Sequence, residues 1–132
     1  MTGDMVDDRP RWPGSGRGFL IRMDPAVVQP RALLHVSGEL DLTTAAALLS
    51  CVRDLADGGH IQVDLDFSDV RLCDAAGLRA LVAGREWLRD LGGTLVVHEP
   101  CWSLTRLLDI FDLTNTLDRR PRATVQNVSP EE

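Results

Sequence analysis

The chain has 132 residues, of which 44% are hydrophobic, and a formal net charge of −6. This length suits one domain with a single core, and the negative charge argues against direct nucleic-acid binding, because a phosphate backbone demands a basic surface. No run of about 18 apolar residues occurs, so the sequence predicts no membrane insertion, and we expect a cytoplasmic protein. All 14 basic residues are arginines, which excludes lysine chemistry such as a Schiff base or a P-loop.

The two ends of the chain lack hydrophobic periodicity. Residues 1–17 are rich in Pro and Gly and predict a disordered lead, with a role for Trp12 left open. Residues 18–118 are expected to form the domain, and residues 119–132 a tail in which 123–128 could add an edge strand.

The domain is predicted to open with two strands, Phe19–Met23 and Ala32–Val36. The short connection between them favours an antiparallel hairpin. His35 lies alone among apolar neighbours in the second strand, and we interpret it as a structural histidine rather than a catalytic base.

A turn over residues 37–44 is predicted to lead into the first helix, with Asp41 or Thr43 as its cap. The helix carries an apolar stripe and ends at Gly58-Gly59. The next strand, Ile61–Phe67, alternates apolar and polar residues. Because a helix separates it from the preceding strand, the two strands should be parallel with a right-handed crossover.

Asp74 occupies the N-cap position of the second helix, where its side chain is expected to accept from the backbone N–H of Ala76 or Gly77. Trp87 lies beside the apolar stripe of that helix and is expected in the core. A fourth strand at 94–97, a third helix at 100–111 with Phe111 on its inner side, and a short strand at 116–117 complete the order. The fold class is therefore α/β: one domain with a four- to five-stranded mixed sheet, an antiparallel edge hairpin and three or more helices.

The sequence offers little enzyme chemistry. An acidic run could hold Mg²⁺, but its members also read as solvent-facing strand residues, a turn and a cap (Asp64, Asp66, Asp69, Asp74). The three cysteines lack the spacing of a disulfide framework or zinc site and are interpreted as reduced thiols (Cys51, Cys73, Cys101). We therefore predict no catalytic residue, no metal site and no cofactor. A flavodoxin-like enzyme is disfavoured, since no Gly-rich phosphate loop is present.

Five segments, in order, resemble the STAS domain, named for sulfate transporters and anti-sigma factor antagonists. They are Gly38-Glu39-Leu40-Asp41-Leu42-Thr43, Leu65-Asp66-Phe67-Ser68-Asp69-Val70, Asp74-Ala75-Ala76-Gly77-Leu78-Arg79-Ala80-Leu81, Gly92-Gly93 before a strand, and Pro100 before a Leu-rich helix. The resemblance runs from about Phe19 to Leu117.

The resemblance implies a non-enzymatic partner-switching protein, a monomer or weak dimer. Such an antagonist binds an anti-sigma factor that is also a kinase of the histidine-kinase-like ATPase fold, and binding frees the sigma factor for transcription. The kinase ends the interaction by phosphorylating a Ser or Thr in the loop before the second helix. Here that position is Ala75, followed by Ala76. The usual gain of about −1.5 to −2 charges cannot occur at this loop, so we predict a constitutive antagonist, or a docking subunit whose partner is switched elsewhere.

The predicted partner surface consists of the two helix starts: Asp41, Thr43, Thr44, Asp74, Ala75, Ala76, Gly77 and Arg79. Arg79 is either an ion-pair donor to an acidic partner or a solvated arginine. Ser68, Thr43 and Thr44 are the alternative hydroxyls for phosphorylation. A second hypothesis is a small STAS subunit of a membrane transport complex, which would need an apolar docking face that could include Trp87 or Trp102.

Overall fold

The computed structural model describes the backbone of residues 11–13 and the whole of residues 18–120. The rest of the predicted lead, the tail from residue 121, the edge strand considered at 123–128 and the side chain of Trp12 lie outside the described residues. No helix in the described part of the chain is long and apolar enough to cross a membrane.

The described residues form one six-stranded sheet in the spatial order β1-β2-β3-β4-β5-β6. The β1–β2 and β2–β3 pairs are antiparallel and the remaining pairs are parallel. The elements are β1 Arg11–Pro13, β2 Leu20–Met23, β3 Arg31–Leu40, α1 Ala45–Asp57, β4 Gln62–Cys73, α2 Ala75–Asp90, β5 Thr94–His98, α3 Trp102–Ile110 and β6 Asp118–Arg120.

This architecture confirms the predicted α/β class and mixed sheet. The strand count is higher than expected because Arg11–Pro13, assigned to the lead, pairs with β2. The last strand follows Leu117 instead of including it, and Leu117 is itself buried in the core.

One hydrophobic core lies between the sheet and the three helices. Alternate strand residues such as Leu34, Leu65 and Val97 are fully buried against helix residues such as Leu48 and Leu81. The intervening strand residues point to the opposite face of the sheet. The helices therefore cover one face of the sheet. The loops that follow the carboxyl ends of β3 and β4 lie at an edge of the sheet.

The two central strands are longer than predicted. β3 continues through the expected turn to Leu40, and β4 continues through Ser68 and Asp69 to Cys73. Their parallel pairing shifts register between His35 and Ser37 and again between Gly38 and Glu39. These irregularities break the period-two pattern, which is why residues 68–69 resemble a turn in the sequence.

Two aromatic side chains lie differently from the prediction. Phe111 follows the last residue of α3 and is 52% exposed instead of lying on the inner side of the helix. Trp87 is 41% exposed instead of buried. The neighbouring Leu88 takes the core position, and one residue further round a helix is a rotation of about 100°. The Arg53 guanidinium lies 5.0 Å from the centroid of the Trp87 ring.

The open face of the sheet carries paired polar groups. His35 Nδ1 lies 2.8 Å from Asp66 Oδ2, and its Nε2 lies 3.1 Å from Asp24 Oδ2, so both ring nitrogens have a carboxylate partner. Asp64 contacts Arg31 and His98 at 3.0 and 2.8 Å, so Asp64 and Asp66 are half-buried and have side-chain partners, whereas Asp69 is exposed. Over residues 18–120, no group of three or more His, Cys, Asp or Glu side chains is placed to hold a metal ion.

Candidate functional site

Two helix starts lie side by side at the carboxyl edge of the sheet. Leu40 at the end of β3 is in register with Cys73 at the end of β4. The backbone N–H of Asp74 donates to the carbonyl of Leu40 at 3.1 Å, so the first residue beyond β4 is tied to the end of β3. The loops that open α1 and α2 therefore form one continuous edge, as predicted from the parallel strands.

The start of α2 has the predicted cap. Asp74 has extended backbone geometry, and its Oδ1 accepts from the backbone N–H of Gly77 at 3.0 Å. Ala75 is the first helical residue, and both Ala75 and Ala76 are half-buried. The first turn thus presents methyl groups and backbone, with no hydroxyl at position 75 or 76.

Gly77 holds the helix start against the strand ends. A Cβ atom at this position would lie 2.7 Å from the Leu40 carbonyl oxygen, 2.8 Å from Leu40 Cγ and 2.9 Å from Cys73 Sγ. All three distances are shorter than real Cβ contacts. Only glycine permits this approach, so the distance between the first turn of α2 and the ends of β3 and β4 depends on residue 77.

The loop before α1 is organised by hydrogen bonds around Asp41. Asp41 Oδ1 accepts from the Thr43 hydroxyl at 2.7 Å and from the Thr43 backbone N–H at 2.9 Å. The Thr43 hydroxyl is the main reason that the pKa of Asp41 lies below its usual range. A carboxylate is therefore fixed in a defined position at this edge.

Thr44, not Asp41 or Thr43, occupies the N-cap position of α1, and its side chain makes no capping hydrogen bond. Its hydroxyl instead donates to the Glu39 carbonyl and accepts from the Asp41 backbone N–H, both at 2.9 Å. The residue is only 1% exposed. Thr44 thus fastens the loop to β3, while the predicted cap residue Asp41 accepts the backbone N–H of Thr43 through its side chain, in the turn that precedes α1.

The predicted surface residues divide by exposure. Thr43 and Arg79 are exposed, Asp41 and Asp74 are half-buried, and the buried Thr44 and Gly77 form the frame beneath them. Sequence reasoning missed Leu42, which lies at the tip of the first loop and is 76% exposed. Leu42 is an apolar residue that lies off the apolar stripe of α1, and this position in the sequence could have indicated that its side chain is exposed.

Of the three alternative hydroxyls, Thr43 alone is both exposed and located at the edge where the two loops meet. Ser68 is exposed within β4, six residues before Asp74, which is about 20 Å along a strand. Thr44 is buried. A hydroxyl that the sequence did not point to lies closer to the loop: Ser103 Oγ accepts from the backbone N–H of Cys73 at 2.8 Å. It comes from α3, thirty residues away in the chain.

An apolar groove of about 460 Å³ begins at the same loop. One wall is a face of α2, and the other consists of Phe111 and Leu113, which follow α3. The α2 residues that line the groove are Ala75, Leu78, Arg79, Val82, Ala83 and Glu86. The candidate site is thus a capped helix start, a fixed carboxylate and an adjoining apolar groove.

Two of the cysteines, Cys51 and Cys73, are buried in the core. Burial raises the pKa of Cys73 to about 12, and burial likewise raises the pKa of Cys51. A thiolate is the reactive form of cysteine, so neither residue is suited to nucleophilic chemistry. All three cysteines are free thiols, as predicted.

Comparison with known proteins gives a consistent result. The family model described as "Mlab, STAS domain" matches residues 24–118. A candidate anti-sigma factor antagonist from Thermotoga maritima is 20% identical with a TM-score of 0.69, covering 80% of this chain and 89% of that one. An anti-sigma factor antagonist from Mycobacterium paratuberculosis is 21% identical with a TM-score of 0.68, covering 86% and 94%.

The anti-sigma factor antagonist SpoIIAA in its unphosphorylated form is 13% identical with a TM-score of 0.57, covering 68% of this chain and 82% of that one. A search of the curated proteins finds no match. At these identities the structural likeness establishes the fold, while the family match covers most of the chain.

Proposed function

The chain belongs to the STAS domain family, and we propose that it is an anti-sigma factor antagonist whose contact loop is permanently in the binding state. Its partner is an anti-sigma factor with a histidine-kinase-like ATPase fold. Binding withdraws that factor from its sigma factor, so the protein regulates transcription without contacting nucleic acid and without catalysing a reaction. The protein acts in the cytoplasm as a monomer or weak dimer.

The observation that carries this proposal is the residue at the start of α2. Ala75 stands beside the cap Asp74, half-buried at the edge where the α1 and α2 starts meet. A methyl group there is neutral and compact. Phosphorylation of a hydroxyl at that point would add charge to a contact surface and disrupt it by repulsion and desolvation. Alanine removes that possibility while preserving the surface.

The neighbouring groups support a protein contact rather than an anion site. The carboxylates of Asp41 and Asp74 lie on the two loops, and Asp74 already occupies the N–H of Gly77. A phosphate would meet these negative charges at the helix start. A protein surface can instead pair Arg79 with an acidic residue and cover Leu42 and the two alanines.

The proposal is tested by capture of ATPase-fold anti-sigma factors from the native host, with the wild type and with Ala75→Asp as baits. The wild type should retain such a factor and the aspartate variant should release it, because the added charge imitates the family's off-signal. Ala26→Asp, at an exposed loop residue after β2, is the matched control. Equal retention by wild type and Ala75→Asp would contradict the assignment of this loop as the contact.

A small subunit of a membrane transport complex remains the second candidate. It is favoured by one observation: Trp102, at the start of α3, is 73% exposed and is not among the residues of the proposed antagonist surface. The same capture experiment separates the two functions. Recovery of transporter subunits that is lost with Trp102→Ala and kept with Ala75→Asp would support the transport role.

A further inference from the structure

The groove beside the candidate site has the form of a helix-binding surface. Its α2 wall is built from residues at positions i, i+3, i+4, i+7, i+8 and i+11 counted from Ala75, which lie on one face of a helix. The eleven-residue separation from Ala75 to Glu86 corresponds to about 16 Å of helix. In the opposite wall Phe111 is 52% exposed, and in the α2 wall Ala83 is exposed and Val82 half-buried, so apolar surface is uncovered on both walls by the described part of the chain.

The groove carries one charge of each sign on its α2 wall. Arg79 lies near the Ala75 end and Glu86 lies two helical turns further on, about 10 Å away along the axis. Both are exposed, and within residues 18–120 no ion pair engages either of them. An occupant that matches the groove therefore needs an acidic group towards Ala75 and a basic group towards Glu86, with apolar side chains between.

We propose that this groove docks an amphipathic helix of the partner, with an acidic residue paired to Arg79, a basic residue paired to Glu86 and apolar anchors between α2 and Phe111. Such helix-in-groove recognition uses anchors spaced along one helical face. The inference rests on the proposed function, because the groove begins at the contact loop, and it specifies the chemistry of the partner there.

The groove gives Ala75 a second role. Ala75 lines the groove as well as the loop, so its methyl group extends the apolar wall to the edge of the sheet. The alanine then adds contact area to the docked helix besides removing the phosphorylation site. A charged side chain at residue 75 would close that end of the groove.

The test uses the full chain, labelled with ¹⁵N, and a synthetic peptide of roughly eleven to fourteen residues, matched to the groove length and held helical by a covalent staple. The peptide carries one Phe and one Leu four residues apart, with Glu at one end and Arg at the other. Saturable amide shifts are expected along residues 75–86 and at Leu113. The same peptide with Gln at both charged positions should bind several-fold more weakly.

The matched protein variants are Ala83→Glu, in the groove wall, and Ala26→Glu, in an exposed loop. An unpaired carboxylate buried under an apolar helix is costly, so Ala83→Glu should weaken binding about tenfold or more, while Ala26→Glu should bind like the wild type. Absence of saturable shifts at millimolar peptide, or equal weakening by both variants, would overturn the inference. If the peptide does not bind in the groove but the wild type still captures an anti-sigma factor and Ala75→Asp does not, this inference alone is overturned. Groove binding with no such capture would instead overturn the proposed function.

Discussion

Two glycines in α2 should respond oppositely to alanine. Helix propensity alone predicts that Gly→Ala stabilises a helix interior by about 1 kcal/mol. At Gly84 the new Cβ would lie 3.7 Å or more from its neighbours, Val52 and Leu49, which is ordinary van der Waals contact. Gly84→Ala should therefore raise the free energy of unfolding by about 1 kcal/mol.

Gly77 has no such room. The new Cβ would meet the Leu40 carbonyl oxygen at 2.7 Å, and this backbone atom is held by the β3–β4 pairing. Overpacking of this kind costs about 1–3 kcal/mol. Because the Leu40 backbone cannot move aside as a flexible side chain could, we expect a cost near the upper limit, about 3 kcal/mol. After the propensity gain of about 1 kcal/mol, Gly77→Ala should lower the free energy of unfolding by about 2 kcal/mol.

The assay is urea unfolding of the wild type and both variants, followed by far-UV circular dichroism. With a urea slope of about 1–3 kcal/mol per molar, changes of about +1 and −2 kcal/mol move the urea midpoint in opposite directions by roughly 0.3 M or more, so the two signs are easily resolved. If Gly77→Ala were as stable as Gly84→Ala, the close approach of α2 to the strand ends would be incorrect. The geometry of the contact loop would then need revision.

Replacing the cap residue by Asp74→Ala should lower the free energy of unfolding by about 1 kcal/mol, whereas Asp74→Asn should be nearly neutral; equal losses in urea unfolding would deny the cap. Iodoacetamide should label Cys101 in the native protein but Cys51 and Cys73 only after unfolding, because both are buried with raised pKa values; mass spectrometry that finds rapid native labelling of Cys51 would contradict the core. Burial opposes ionisation of Asp66, but hydrogen bonds from Ser68 and His35 outweigh it and lower its pKa. That contribution to stability is present above about pH 4 and is lost as the pH falls through the lowered pKa. Between pH 5 and pH 3 the urea midpoint should therefore fall further for the wild type than for Asp66→Asn, and equal losses would count against the Asp66 hydrogen bonds.

The sequence predicted the fold well where periodicity was strong. The alternation around Leu65 and the stripe containing Leu81 identify a strand and a helix, and a helix between two strands implies parallel pairing. The same logic placed the starts of α1 and α2 at one edge. The cap at Asp74 was predictable because capping depends on local spacing.

The prediction failed where tertiary contacts override local pattern. The register shifts that let β4 continue to Cys73 depend on its pairing with β3, so the strand looked like a turn at Ser68. The burial of Thr44 depends on a hydrogen bond to Glu39 across the loop. The exposure of Phe111 depends on where α3 ends, and helix ends are the least certain part of a sequence-based assignment.

The candidate site was predicted in part. The motif pointed to the two helix starts and to Ala75, but not to the groove beside them. One groove wall comes from Phe111 and Leu113, which follow α3 and lie 36 and 38 positions after Ala75 in the chain. Nothing in the local spacing of Phe111 or Leu113 links them to α2, because this contact arises only when the helices pack on the same face of the sheet.

In the proposed function, the contact loop binds its partner permanently because position 75 lacks a hydroxyl. The direct measurement is the half-life of the complex with the captured anti-sigma kinase in the presence of ATP, with phosphate incorporation followed by mass spectrometry. For the wild type we expect an unchanged half-life and no phosphate, while Ala75→Ser should gain phosphate at residue 75 and dissociate. ATP-dependent phosphorylation and release of the wild-type chain would contradict the account.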